Sequence, residues 1–190
     1  MDNLNKARNY DLYDDPNEAL NFYLRAVEDE TAELSDYINA SVIAFLCQDY
    51  GYSSDKKLPQ KLIDMAWSEM FALLDKAEVK FGKNPNLSFW KNYFGVILLG
   101  KRGIKKECRD YLSQGVLDAA ICLMDESNKV NLVNQALEEL NARAERGGCI
   151  KDRYIQSVIQ GNVKRRTYSK IKEKSKRKKS QKIQSKGQSN

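Results

Sequence analysis

Histidine is missing from all 190 residues of this chain, so chemistry has to be sought among its carboxylates, lysines, arginines and thiols. Without histidine the commonest general base, the Ser-His and Cys-His nucleophile pairs and most zinc sites are lost. Acids gather at Asp14 and Asp15, Glu28 to Glu30, Asp125 and Glu126, and Glu138 and Glu139. Two carboxylates held together can share a proton or bind a metal, but on polar helix faces they are ordinarily solvated or paired with a nearby lysine. Asp75, Glu78 and Lys80 stand in the order of a D…E-x-K nuclease site. That site needs a strand to set its geometry, and these three residues fall in a helical pattern. No phosphate-cradling G-x-x-x-x-G-K-[ST] or G-x-G-x-x-G run occurs. The glycine-bearing basic run Gly100–Lys106 reads more simply as a helix connection. The chain is therefore read as non-catalytic, with no catalytic residue, cofactor or metal expected.

Cys47, Cys108, Cys122 and Cys149 stand far apart, with no C-x-x-C pair. The first residues carry acids and no apolar run of seven or more, which is not a secretory leader. The thiols are accordingly expected to be buried and reduced, without a metal or redox role, in a soluble cytoplasmic protein, or a nuclear one in a nucleated cell. The longest apolar stretches, near Ala40–Cys47 and Phe94–Leu99, fall far short of the ~20 residues that span a bilayer.

The charge is unevenly distributed. The chain holds 32 basic and 26 acidic residues, net +6, but Lys164–Asn190 alone holds twelve basic residues and one acid, Glu173. The first 163 residues are thus net acidic, with 20 basic and 25 acidic side chains. The tail's candidates for holding nucleic acid or another polyanion are Lys164, Arg165, Arg166, Lys170, Lys172, Lys174, Lys176, Arg177, Lys178, Lys179 and Lys182. Only Tyr168, Ile171 and Ile183 are sizeable apolar residues there, too few to offset chain entropy, so 164–190 is expected to be a disordered basic tail. Its attraction to phosphate backbones, anionic lipid or an acidic protein would be sequence-independent and steeply salt-dependent. With no interleaved aromatics it is not expected to read bases. Lys176–Lys179 with Lys164–Arg166 upstream make a loose two-part nuclear-import signal.

Helical start and stop signals divide the rest. Asp15, Pro16 and Glu18 form an N-cap, a first-turn proline and a capping acid, after which Ala19, Phe22, Tyr23, Ala26 and Val27 recur on one face. A second helix is predicted from about Thr31 to Asp49, closed by Gly51, with Gly51–Lys57 a polar turn. A long third helix runs from Pro59 to Phe81 on the stripe Leu62, Ala66, Met70, Leu73, Leu74 and Ala77. A fourth holds Trp90, Tyr93, Phe94, Ile97 and Leu98 and stops near Gly100. Further helices are expected near Ile104–Ser113, Val116–Met124, Val130–Ala144 and Arg153–Ile159. Short connections imply antiparallel neighbours. The expected fold is all-α: seven or eight helices stacked as antiparallel hairpins over 15–163, preceded by a segment 1–14.

Asn92–Glu107, NYFGVILLGKRGIKKE, resembles the Sel1-like branch of the tetratricopeptide repeats: Gly95 stands where the hairpin's helices approach, Gly103 and Ile104 at the turn, and Glu107 at the acid that begins the second helix. Asp15, Ala19, Phe22, Tyr23, Ala26 and Val27 resemble that second helix, and Trp90 with Tyr93 the first helix of a tetratricopeptide unit. Gly100 comes one residue early, Tyr111 replaces a small residue and Glu30 replaces a terminal glycine; about 35 residues match. The resemblance implies a scaffold binding other proteins in its groove; an irregular helical bundle is the other reading of the same pattern. Trp67, Phe71, Trp90 and Tyr93 are the groove candidates, because anchors for a docked helix or peptide are typically aromatic. The expected function is an adaptor that binds a protein partner while its tail contacts a polyanion. The alternative is a nucleic-acid-binding accessory protein acting mainly through the tail.

Overall fold

The computed structural model describes residues 2–100, 103–127 and 130–162; among them every regular element is a helix. The expected tail, 164–190, lies outside the described residues. No described helix is long and apolar enough to cross a membrane.

Local capping explains most of the helix starts. Helix α1 (Asn3–Leu12) begins where the Asp2 carboxylate accepts from the Asn5 backbone N–H at 2.7 Å. Helix α2 (Pro16–Ala26) begins under Asp15, which accepts from the Glu18 N–H at 3.1 Å, with Pro16 at the first helical position. Helix α3 (Leu34–Leu46) opens with a reciprocal capping box between Glu33 and Asp36. Helix α4 (Tyr50–Asp55) is capped by Asp49. The long α5 (Gln60–Phe81) stops at Gly82, φ 74°, and α6 (Pro85–Leu99) at Gly100, φ 63°, left-handed conformations that favour glycine. Then follow α7 (Lys105–Ser113), a 3-10 helix (Leu117–Glu126), α8 (Asn131–Glu145) and α9 (150–162).

Helix α3 is the hub: Asp36–Ile38 and every residue from Ala40 to Leu46 are buried, as its nearly continuous apolar second half predicts. It packs on α5 and is flanked by α2, while α1 and α2 form a close hairpin and the 3-10 helix lies between α7 and α8. Aromatic rings tie the hub to its neighbours. Phe45 of α3 stacks on Phe94 of α6 at 4.8 Å, Phe71 of α5 meets Phe94 edge-on at 6.2 Å, and Tyr154 of α9 meets Phe45 edge-on at 5.7 Å.

The first and last described helices are also joined. The buried Asp11 carboxylate accepts from the Ile150 backbone N–H at 2.8 Å and from the Tyr23 hydroxyl at 2.9 Å. Arg153 donates to the backbone carbonyls of Leu12 (2.5 Å) and Asp11 (3.4 Å). A backbone N–H at the start of α9 is thus satisfied by a side chain of α1, and carbonyls at the end of α1 by a side chain of α9. This clasp ties the first described helix to the last.

Four sequence expectations need correction. Segment 1–14 is not apart from the domain: it forms α1, whose Leu4, Ala7 and Asp11 are buried. Gly51 does not close the second helix; α3 ends at Leu46 and Gly51 lies inside α4, because Asp49 is a good cap and starts a new turn. The stretch near Val116–Met124 is a 3-10 helix, in which Leu117, Ala120 and Leu123 align at spacing three along one packed edge. The final helix begins earlier than Arg153, at 150, where Asp11 supplies an acceptor from another part of the chain.

Candidate functional site

The α8–α9 connection sets up a buried polar convergence of side chains. Gly147 turns the chain with φ 89°. A Cβ on Gly148 would come within 2.7 Å of the Asp152 Cβ and 3.0 Å of the Arg143 carbonyl oxygen, so glycine is needed for the close approach. Asp152 accepts from the Cys149 N–H at 3.1 Å, starting α9. That tight corner delivers Lys151 inward, where its Nζ donates to Asp118 Oδ2 at 3.1 Å. The same oxygen accepts from the Trp90 indole N–H at 3.2 Å. The side chains of Lys151 and Asp118 are only 14% and 9% exposed, which makes this a buried ion pair. Burial pulls the Lys151 ammonium down, but the carboxylate of Asp118, with Cys149 and Asp152 adding, outweighs it and the net shift is upward. Lys151 therefore stays a cation, suited to holding charge rather than to acting as an amine base or nucleophile.

Over this pair lies an open groove of about 420 Å³. Its walls come from five elements or their flanks: Asn39 from α3, Asn86 from α6, Leu117 and Asp118 from the 3-10 helix, Arg143 from α8 and Lys151 from α9. A second cavity of about 310 Å³ sits on the other side of the start of α9, lined by Asp14, Tyr52, Arg153 and Tyr154. The buried Tyr52 hydroxyl has no hydrogen-bond partner among the described residues.

The four aromatic candidates separate. Trp67 is 57% exposed on α5 and Phe71 is half-buried beside Phe94. Trp90 and Tyr93 are buried at 0% and 7%, so they do not line an open groove as expected. They face inward on α6 because the hairpin's interior lies there: Trp90 supports Asp118 from below, and Tyr93 shares a 2.6 Å hydroxyl–hydroxyl hydrogen bond with Tyr154. The eleven tail candidates from Lys164 to Lys182 lie outside the described residues. Asp75 and Glu78 lie on α5 and both pair with Lys91 of α6, while Lys80 donates to the Asp29 and Ala32 carbonyls, so the nuclease-like order serves packing. Most of the acid clusters are likewise paired: Asp14 with Lys56, Glu28 with Lys76, Asp125 with Lys105, Glu126 with Arg109 and Glu139 with Arg143.

Sequence reasoning singled out Trp90 but missed its grouping with Lys151 and Asp118, because the three lie far apart in the chain and neither Lys151 nor Asp118 belongs to a motif. The one available signal was Asp118 itself, a single acid within the apolar run around Val116–Met124. Comparison with protein-family models, curated proteins and solved structures finds no match to this chain.

Proposed function

We propose that this protein is a non-catalytic helical adaptor that binds a protein partner in the groove over Lys151, while its basic C-terminal tail contacts a polyanion. The single observation that carries this reading is the groove itself. It is open, walled by several helices, and lined by a lysine kept cationic by Asp118. An ion-paired lysine with Arg143 at the side suits recognition of polar groups on a docked segment. Trp67, exposed on α5, is a second anchor of the kind that dominates protein interfaces. The close α1–α2 hairpin is in keeping with the Sel1-like resemblance, which belongs to the same proposal.

The charge split supports the second reading, a nucleic-acid-binding accessory protein whose tail is the main functional element. Three chains separate the two: the full chain, a chain ending at Val163, and a groove variant, Arg143→Glu. An adaptor captures the same partner with and without the tail and loses it with the groove variant. A nucleic-acid accessory protein loses its mobility shift on truncation across about 50 to 200 mM salt, and keeps it in the groove variant. Capture that depends on the tail alone overturns the groove reading.

A further inference from the structure

The second cavity, of about 310 Å³, falls at the lower end of the sizes that hold small molecules. None of the described residues lines both this cavity and the groove over Lys151. Leu46 at the end of α3 and Ile150 and Tyr154 of α9 give it apolar and aromatic walls, while Asp49 and Tyr52, at the start of α4, bring polar groups to it. Much of the charge around it is already spent. Arg153 on the wall donates to the Leu12 and Asp11 carbonyls, and Asp14, also on the wall, is paired with Lys56 at 2.6 Å. Asp49 makes no ion pair among the described residues; its Oδ1 accepts from the Tyr52 backbone N–H at 2.8 Å.

Tyr52 adds an independent observation. Its hydroxyl is buried with no hydrogen-bond partner among the described residues, and a buried polar group left in that state is costly until something takes the partner's place. Its ring already faces one cation, since Lys56 Nζ lies 6.0 Å from the ring centroid. From the cavity, the orphan hydroxyl and the unpaired acid beside it, we propose that this site binds a small primary ammonium compound with an aromatic or alkyl body.

The ammonium donates to the Asp49 carboxylate and to the Tyr52 hydroxyl oxygen, and the body rests on Leu46, Ile150 and Tyr154. An ammonium has three N–H donors, enough to serve both oxygens and leave one for water. An anion of the same shape meets Asp49 unfavourably and gains little from Arg153, which is committed to backbone carbonyls. A neutral compound of that shape leaves the Asp49 carboxylate without its charge partner. The occupant fastens the six-residue α4 to α9. Its binding does not depend on what the groove over Lys151 holds.

The test is titration of the full chain with 2-phenylethylamine, an ammonium at neutral pH, read by backbone amide shifts in two-dimensional NMR. Phenylacetate and 2-phenylethanol serve as anionic and neutral probes of the same shape. The amine should saturate with a Kd of about 10 mM or tighter and move the amides of Leu46, Tyr52, Ile150 and Tyr154. It should bind about tenfold more tightly than either of the other probes. Asp49→Asn keeps a good cap for α4, so that variant folds, and it should weaken amine binding about tenfold. Tyr52→Phe removes a hydroxyl that bonds to no described residue, so its thermal stability should hold or rise while amine binding weakens about threefold. No saturable binding, shifts gathered away from the cavity, equal binding of the three probes, a less stable Tyr52→Phe, or an affinity unmoved by one of the two substitutions overturns the proposal.

Discussion

At Asp118 one carboxylate oxygen serves both an ammonium and an indole N–H, and the effect of removing it follows from how little water reaches the site. Asp118→Ala leaves Lys151 charged, buried and, apart from Asp152 at 3.9 Å, unpaired. A loss of about 3–5 kcal/mol in urea unfolding at neutral pH is expected. The pH dependence carries a definite sign. Because the folded Lys151 is raised above its ordinary 10.5, its contribution to wild-type stability is fully present below that value and is lost as pH rises through the folded one. In Asp118→Ala burial acts with less opposition and lowers Lys151, so raising the pH relieves the variant. The gap between the two proteins should narrow from neutral towards alkaline pH; a constant gap would mean the pair is not the cause. Asp11 behaves oppositely to a salt-bridged acid. Burial raises it, its hydrogen bonds from Ile150 and Tyr23 only partly countering, so its ionised form costs stability above the folded pKa and this cost fades as pH falls through it. Asp11→Asn keeps an acceptor and sheds the charge, and should melt close to wild type at neutral pH. Asp11→Ala strands the Ile150 N–H and the Tyr23 hydroxyl and should cost about 1–3 kcal/mol.

At the scale of the helix, the elements legible in the sequence were those whose determinants are local. Asp15 and Pro16 announce α2, and Asp15→Ala should destabilise by about 1 kcal/mol in chemical denaturation through loss of the cap alone. The stripe from Leu62 to Ala77 gave α5 nearly to the residue. Helix α1 was not legible because one of its three buried positions is an aspartate, Asp11, whose burial is explained only by Ile150 and Tyr23. The 3-10 geometry of Leu117–Glu126 was hidden for a related reason: its packing between α7 and α8 is tertiary, and its composition reads equally well as α-helix. Trp90 and Tyr93 had the right chemistry for anchors, but aromatic identity does not say which way a helix faces. Phe94, fully buried against Phe45 and Phe71, tests the aromatic spine, and Phe94→Ala should cost about 3–5 kcal/mol.

For the whole molecule, the acidic body and basic tail should behave as separable parts. A chain ending at Val163 keeps all the described helices, so its thermal unfolding should match that of the full chain while its retention on heparin falls sharply. Loss of cooperativity on truncation would instead assign the tail a structural part. The clasp between Asp11 and Ile150 bears on how the molecule is made, since its two partners lie 139 positions apart. A nascent chain still lacking α9 holds Asp11 without the N–H that it accepts from and Leu12 without the guanidinium that covers its carbonyl. The α9 segment must therefore be made before α1 finds its final seat, and until then that helix stays open to chaperones and proteases.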